Sequence, residues 1–453
     1  MRLVRVFLPL FVSPSRCWFR KSTGASQYNP QQLATDTRTD ESTHIVTHDV
    51  DGELRPPKAS DSRAYRLASI DMLRGLAVVI MAVDHVRDYF LVSAELDPAA
   101  NQEVGAALFF TRWITHFCAP VFVFLAGTSA GLMTARRSPP ALGAFLLTRG
   151  MWLIVIEWFV VATAWSFAPW GLQQFGGLVG VPMQVIWAIG ASMVVLAGAQ
   201  FLGARACLIV GSAVMVGHNL LDPIWPVTNG PFDAGHPWWV ALHGQMAIAI
   251  GPFFFGFVYP LLPWSGVMLL GYGTARLFQE PAARRNARLL AWGVAATAVF
   301  VVLRGAGVYG DPNPWQAQAS PIRTAIDFLN VTKYPPSLLY LLMTLGPAAI
   351  LCARADRLPD AVRQPLIVFG RVPFAFYVAH LYLIHGLAVA FAVIQGFEAG
   401  DFLTFSFFFP TGYGVGLAGV YAIWLLVVAA LYPLCRWVAG VKARRRDWWL
   451  SYL

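Results

Sequence analysis

The stretch VVIMAVDHVRDYF, Val78 to Phe90, leaves an uncharged apolar run and then sets Asp84, His85, Arg87 and Asp88 among Val, Tyr and Phe. An imidazole, with an ordinary pKa near 6.5, takes up or releases a proton at neutral pH, and a neighbouring carboxylate can orient it and stabilise its charged form. An isolated charge in the middle of a bilayer costs at least ~2.5–3.5 kcal/mol, so such groups pair or mark a site. On a helix turning ~100° per residue, Arg74 and His85 are eleven steps apart and fall within ~20° of one face, with Asp71 and Asp88 within ~60°. One polar stripe is therefore expected along this segment. Asp84 lies at its margin, and Arg87 points elsewhere and is expected to snorkel to the interface.

Other segments carry candidate partners. FFTRWITHFCAPVFVFLAGTSAG places Arg112 and His116 four residues apart on one helical face. AFYVAHLYLIHG supplies His380 and His385, but a five-residue offset separates them by ~140°, so at most one is expected to join the site. Lys333 and Tyr334, in NVTKYPPSL, stand at the mouth of a later apolar run. Gly127 and Gly131, in GTSAG, are small residues that let helices approach closely.

The elements that position these residues follow from composition. Of 453 residues, 57% are hydrophobic and 13% charged, against roughly 25% charged in soluble domains. An all-α polytopic membrane bundle of about ten helices is expected, since about 20 apolar residues cross a bilayer core. The spans fall at about 69–91, 106–133, 145–167, 182–200, 204–220, 247–272, 287–304, 335–353, 366–395 and 412–438. The net charge is +9, yet the cations form no single patch interleaved with aromatics, which argues against nucleic acid. They gather in alternate loops, with Arg136 and Arg137, Arg284, Arg285 and Arg288, and Arg444 to Arg446 on one side. Acidic residues such as Glu95, Asp97, Asp233, Asp311 and Asp401 occupy the others. By the positive-inside rule both termini are cytoplasmic and the acidic loops face out.

Three regions are distinguished: a polar, disordered segment over 1–62, a membrane domain over 63–440, and a basic cytoplasmic tail over 441–453. The opening MRLVRVFLPLFV is too short to span and reads equally as a targeting segment or a misplaced start. The outer connections 221–246, 305–334 and 396–411 are rich in Pro, Trp, Phe and Gly and either cap the bundle or sit in the interface. The five cysteines lack paired or metal-ligand spacing, so neither disulfide nor metal is expected.

The segment RLASIDMLRGLAVVIMAVDHVRDYF with FFTRWITHFCAPVFVFLAGTSAG resembles the catalytic domain of the heparan-alpha-glucosaminide N-acetyltransferase family, in particular its bacterial members. WAIGASMVVLA, DFLNVTKYPPSLLYLLMTLGP and VFGRVPFAFYVAHLYLIHG are similar to later blocks of that group. An LRGLA-type opening followed by a histidine also resembles the broader membrane acyltransferase group, here Arg74 leading to His85. The resemblance implies transfer of an acetyl or other acyl group from cytosolic acyl-CoA to a sugar amine or hydroxyl on the far side, in a bacterial inner membrane. Eukaryotic members place their catalytic histidine in the outer segment after the first span. Here ELDPAANQEVGAAL has none, and Asp84 stands where those members carry an asparagine.

With that implication the candidate catalytic residues are His85, Asp84, Asp88, His116, Arg112 and His380. His85 is read as general base, Asp84 or Asp88 as its orienting group, and His116 or Arg112 as the oxyanion partner. An acyl-histidine is an alternative route. Arg74 and Asp71, with Lys333 and Tyr334, are the candidate residues for acetyl-CoA. Arg74 is suited to its phosphates, and the ~16 Å rise to His85 matches an extended pantetheine arm. The expected partners are the acyl donor, a glycan acceptor and the lipid bilayer; a homodimer fits the same reading. The rival class is a proton-coupled transporter of a small solute or lipid-linked sugar, against which no inverted pair of broken helices is visible. A structural or sensory membrane protein is third.

Overall fold

The computed structural model describes residues 59–92, 105–223, 237–244, 246–445, 447 and 450. Among them, seven helices are long and apolar enough to cross a membrane. The first helix, α1 (Ala59–Phe90), is long enough but carries Asp71, Arg74, Asp84, Arg87 and Asp88. It packs against α2 (Ala106–Thr115), α3 (Cys118–Met133), α13 (Asp360–Arg371), α14 (Pro373–Ile394) and α15 (Leu417–Arg444), so its charges face protein rather than lipid. The expected disordered segment over 1–62 lies outside the described residues up to 58, and α1 begins before its boundary. The expected tail from 441 is helical as far as Arg444.

The α1–α13 crossing rests on two glycines. A Cβ on Gly75 would overlap the Leu366 carbonyl, and one on Gly370 would overlap the carbonyl of Asp71. Backbone thus touches backbone, which fixes how far α1 can rotate and therefore where its polar stripe points. Gly127 performs the same service between α3 and α9 (Leu261–Thr274), where an added Cβ would overlap the Met268 carbonyl.

Next comes α4 (Pro139–Ile156), started by prolines at its first two positions, where a missing N–H costs nothing. It continues through a π-turn, Glu157–Val161, into α5 (Ala162–Ser166), which Phe167 ends in the left-handed region at φ 50°. The π-turn carries the fully buried Glu157 to the start of α6 (Val185–Ala199). Its carboxylate accepts from the backbone N–H groups of Gln184 at 3.2 Å and Trp187 at 3.1 Å. Those donors have no partner inside their own helix, and the positive end of the helix favours the negative charge.

The expected span over 247–272 is corrected. Residues Met246–Ile250 (β2) and Phe253–Phe257 (β3) form an antiparallel hairpin, which joins β1 (Val179–Met183) in a sheet of order β1-β3-β2 with β1 parallel to β3. Only α9 remains helical in that stretch. Gly251, at φ 56°, makes the reversal. The apolar run over 366–395 is likewise divided, because Val372 leaves helical geometry and Pro373 opens α14. Two further helices follow α6 in the bundle, α7 (Ala204–Gly217) and α10 (Ala282–Ala306), with a short α8 (Pro237–Leu242) between them. The segment between α10 and α12 (Leu338–Ala353) holds the surface helix α11 (Pro321–Leu329).

That segment is ordered by one buried cation. Arg304 donates to the carbonyls of Phe328, Asn313, Asp327 and Asn330 at 2.6–3.0 Å. Asp311 in turn accepts from Thr332 N–H at 2.7 Å and from the Ser337 hydroxyl at 2.7 Å. Lys333 and Tyr334 are held between these anchors.

Replacing Gly370 by Ala should lower stability by ~1–3 kcal/mol, the usual cost of overpacking, seen as a fall in the unfolding midpoint of purified protein in detergent. An unchanged midpoint contradicts the backbone contact.

Candidate functional site

Toward its C-terminal end, α1 brings His85 beside His380 of α14. Nδ1 of His85 lies 2.6 Å from Nε2 of His380, with the ring planes 15° apart. The His380 Nδ1 is 3.0 Å from the Phe376 carbonyl one turn back. Trp165 of α5 meets His85 edge-on at 5.0 Å. The ~300 residues between the two histidines in sequence disappear in the fold because α1 and α14 pack directly together.

Next to His85 is a buried ion cluster. Arg112 of α2 donates to Oδ2 of Asp84, while Arg87 lies 3.2 Å from Oδ1 of Asp84 and 2.5 Å from Asp88. Two carboxylates and two guanidiniums balance one another where neither charge could stand alone. The Oδ1 of Asp84 is within ion-pair reach of Arg87 but, among the described residues, accepts no hydrogen bond. Arg87 therefore does not leave the stripe for the interface, as its helical angle suggested; it is 6% exposed. One turn beyond Asp84 and next to Asp88, it pairs with both carboxylates.

His85, Asp84, Arg87, Asp88 and Arg112 line a cavity of about 450 Å³. Further parts of its wall come from the sheet (Gly180, Val181, Phe254, Gly256), from Phe405 and Phe407, and from Lys333 and Tyr334. Lys333 sits 5.1 Å above the Tyr334 ring. Burial works to raise the Tyr334 phenol, but the Lys333 and Arg112 cations and a hydrogen bond with Tyr259 outweigh it and hold the phenol below its ordinary value.

A second cavity of about 410 Å³ opens along the earlier half of α1. Arg74 donates there to the Leu125 carbonyl at 3.1 Å and to the Ser129 hydroxyl, 3.5 Å from Asp71. Arg149 of α4, Arg371 of α13 and Lys442 of α15 complete a basic rim over an apolar floor of Phe145, Leu146, Ile189 and Met193. Met81, Phe122 and Val185 belong to the walls of both cavities. They form the partition between them.

The candidates thus divide. Asp71 and Arg74 lie in the basic cavity, whereas Lys333 and Tyr334, grouped with them from sequence, lie in the other. His380 supports His85 from behind. His116 caps α2 and lies on neither cavity wall: its carbonyl accepts from the Tyr340 hydroxyl at 2.7 Å, and its ring packs on Tyr340. Its backbone stays in right-handed helical geometry, at φ −60° and ψ −26°, and the ring is taken up by Tyr340 rather than by the cavity that Arg112 enters. His385 is turned away, between the carbonyls of Ala164 at 2.9 Å and Phe402 at 2.8 Å. Arg149 and Glu157 were missed, although each is a lone charge in an apolar run, FLLTRGMWLIVIEW, and could have been flagged on that ground.

An apolar bundle with two adjoining cavities, one of them lined by a paired histidine and a compensated ion cluster, has the parts of a membrane-embedded transferase. The family model described as "Heparan-alpha-glucosaminide N-acetyltransferase, catalytic" matches residues 66–307. The chain belongs to that family and is a membrane acyltransferase. No curated protein matches it. The matched segment contains most of α1, all of α2 and the sheet, while His380, Lys333 and Tyr334 come from beyond it.

Removal of the Asp84 carboxylate leaves two buried guanidiniums facing one remaining acid. Asp84→Ala should cost ~3–5 kcal/mol, read as a loss of folded protein on heating. Asp84→Leu combined with Arg112→Met should recover most of it; a double variant no better than the single one contradicts the pairing.

Proposed function

We propose that this chain transfers an acetyl group from acetyl-CoA, bound in the basic cavity, to an amine or hydroxyl of a sugar bound in the cavity of His85. The observation that carries the reading is the partition: the basic cavity and the cavity of His85 share Met81, Phe122 and Val185, and Met81 lies one helical turn from His85. Arg74, Arg149, Arg371 and Lys442 suit the phosphates of the donor, since cations clustered at a cavity rim focus an anionic ligand. Arg74 and His85 are ~16 Å apart along α1, the reach of an extended pantetheine arm. The positive-inside distribution supports a cytosolic basic cavity, cytoplasmic termini and an outward-facing acceptor cavity.

His85 acts as general base. As the acceptor nitrogen or oxygen attacks the thioester carbon, its proton passes to the imidazole; the C–S bond then breaks and the sulfur leaves with that proton. Arg112 and the acidified Tyr334 phenol face the same space and are suited to the developing oxyanion. Asp84 and Asp88 offset the positive charge that appears on the ring. The aromatic wall of Phe254, Phe405, Phe407 and Tyr334 suits the apolar faces of a sugar ring. A cell-envelope glycan of a bacterial inner membrane is the acceptor this supports, and residues 63–440 act as one catalytic domain.

His85→Ala should abolish acetyl transfer and still be stabilised by acetyl-CoA, by ~2.7 kcal/mol at a hundredfold excess over the dissociation constant. Arg149→Ala with Arg371→Ala should lose that stabilisation. Near-normal turnover of His85→Ala, or undiminished stabilisation of the double variant, contradicts the assignment.

A further inference from the structure

A chain of three hydrogen-bonding groups fixes which nitrogen of His85 can do chemistry. The Phe376 carbonyl can only accept, so the His380 Nδ1 beside it at 3.0 Å carries a proton. In neutral His380 the other nitrogen, Nε2, then has a lone pair and no proton. That lone pair lies 2.6 Å from the His85 Nδ1. His85 Nδ1 must therefore be the donor, and the proton-free nitrogen of His85 is Nε2. The His380 ring is fully buried and lies near-parallel to Phe376, 15° apart at 5.1 Å, so it has little freedom to turn and break the sequence of bonds.

We infer that His380 is a positioning residue: through its bond to the Phe376 carbonyl it locks His85 in the tautomer with Nε2 bare, the form able to accept a proton from the acceptor. The inference rests on the reading of His85 as base. It adds what the neighbouring carboxylates do not provide, because Asp84 is taken up by Arg112 and Arg87 and no carboxylate hydrogen-bonds the imidazole of His85 among the described residues. When Nε2 takes the acceptor's proton, the Nδ1–H already points at the second imidazole, so the new charge is shared between two rings. His380 itself touches no substrate; its ring is absent from the cavity wall.

Two variants separate the tautomer lock from a packing role. His380→Phe keeps an aromatic ring in place but removes the acceptor. His380→Gln restores an amide oxygen at similar reach. Transfer by His380→Phe should fall ~10²-fold or more in kcat, within the range of general-base catalysis, with little change in KM for acetyl-CoA, and His380→Gln should recover at least ~10-fold of it. Nitrogen-15 histidine spectra of the whole protein in lipid, with the His85 signals identified by their absence from His85→Gln, should show Nδ1 protonated and Nε2 bare in the native protein. A mixture of tautomers should appear in His380→Phe. A native spectrum with bare Nδ1, or one unchanged by His380→Phe, overturns the inference. The spectrum reads the lock without turnover, so its failure is separate from a failure of His85 as base.

Discussion

A carboxylate in the middle of an apolar bundle must be neutralised by something that reaches it, and Asp84 meets that requirement with Arg112 from α2 and Arg87 from its own helix. The pairing ties the two helices together at one depth and one rotation. Once α1 is held there, its neighbouring residue His85 has to face α14, where His380 waits. Without compensation the same side chains would each cost several kcal/mol to bury, and α1 would turn its charges toward whatever water it could find.

One helix serves two chambers. Its middle turns contribute Asp71 and Arg74 to a basic cavity, and its last turns contribute Asp84, His85, Arg87 and Asp88 to an aromatic one. The rigid rise between the two sets suits a donor whose charged head and reactive end are far apart. Elsewhere the structure spends its buried polar groups on order rather than chemistry. Glu157 caps α6, and Arg304 gathers four carbonyls to hold the segment that delivers Lys333 and Tyr334.

The helical stripe on α1 was legible because period 3.6 survives in any straight helix: it carries Asp71, Arg74, His85 and Asp88, with Asp84 at its margin. Arg87 was misjudged since angle alone ignores the pull of a carboxylate one turn away. The hairpin at 246–257 hid in an apolar run that helix and strand share equally; Gly251 and Pro252 between MAIAI and FFFGF were the signal. Proline at 373 announced the break in the run from 366. Nothing local could say that His380 rather than His385 meets His85, or that Lys333 joins the histidine cavity, because both depend on which helices pack together. The same holds for Arg149 and Arg371, whose part in one rim is visible only once α4, α13 and α15 surround it.

The central claim is that donor and imidazole meet at the partition formed by Met81, Phe122 and Val185. A density map of the protein in lipid with acetyl-CoA bound tests it most directly. The phosphates should lie against Arg74, Arg149, Arg371 and Lys442, with the thioester carbon past the partition and close enough to His85 for an acceptor held by its Nε2 to approach within about 3–3.5 Å. Coenzyme density confined to the Lys333 side, or a thioester ending on the far side of an unbroken partition, would contradict the account.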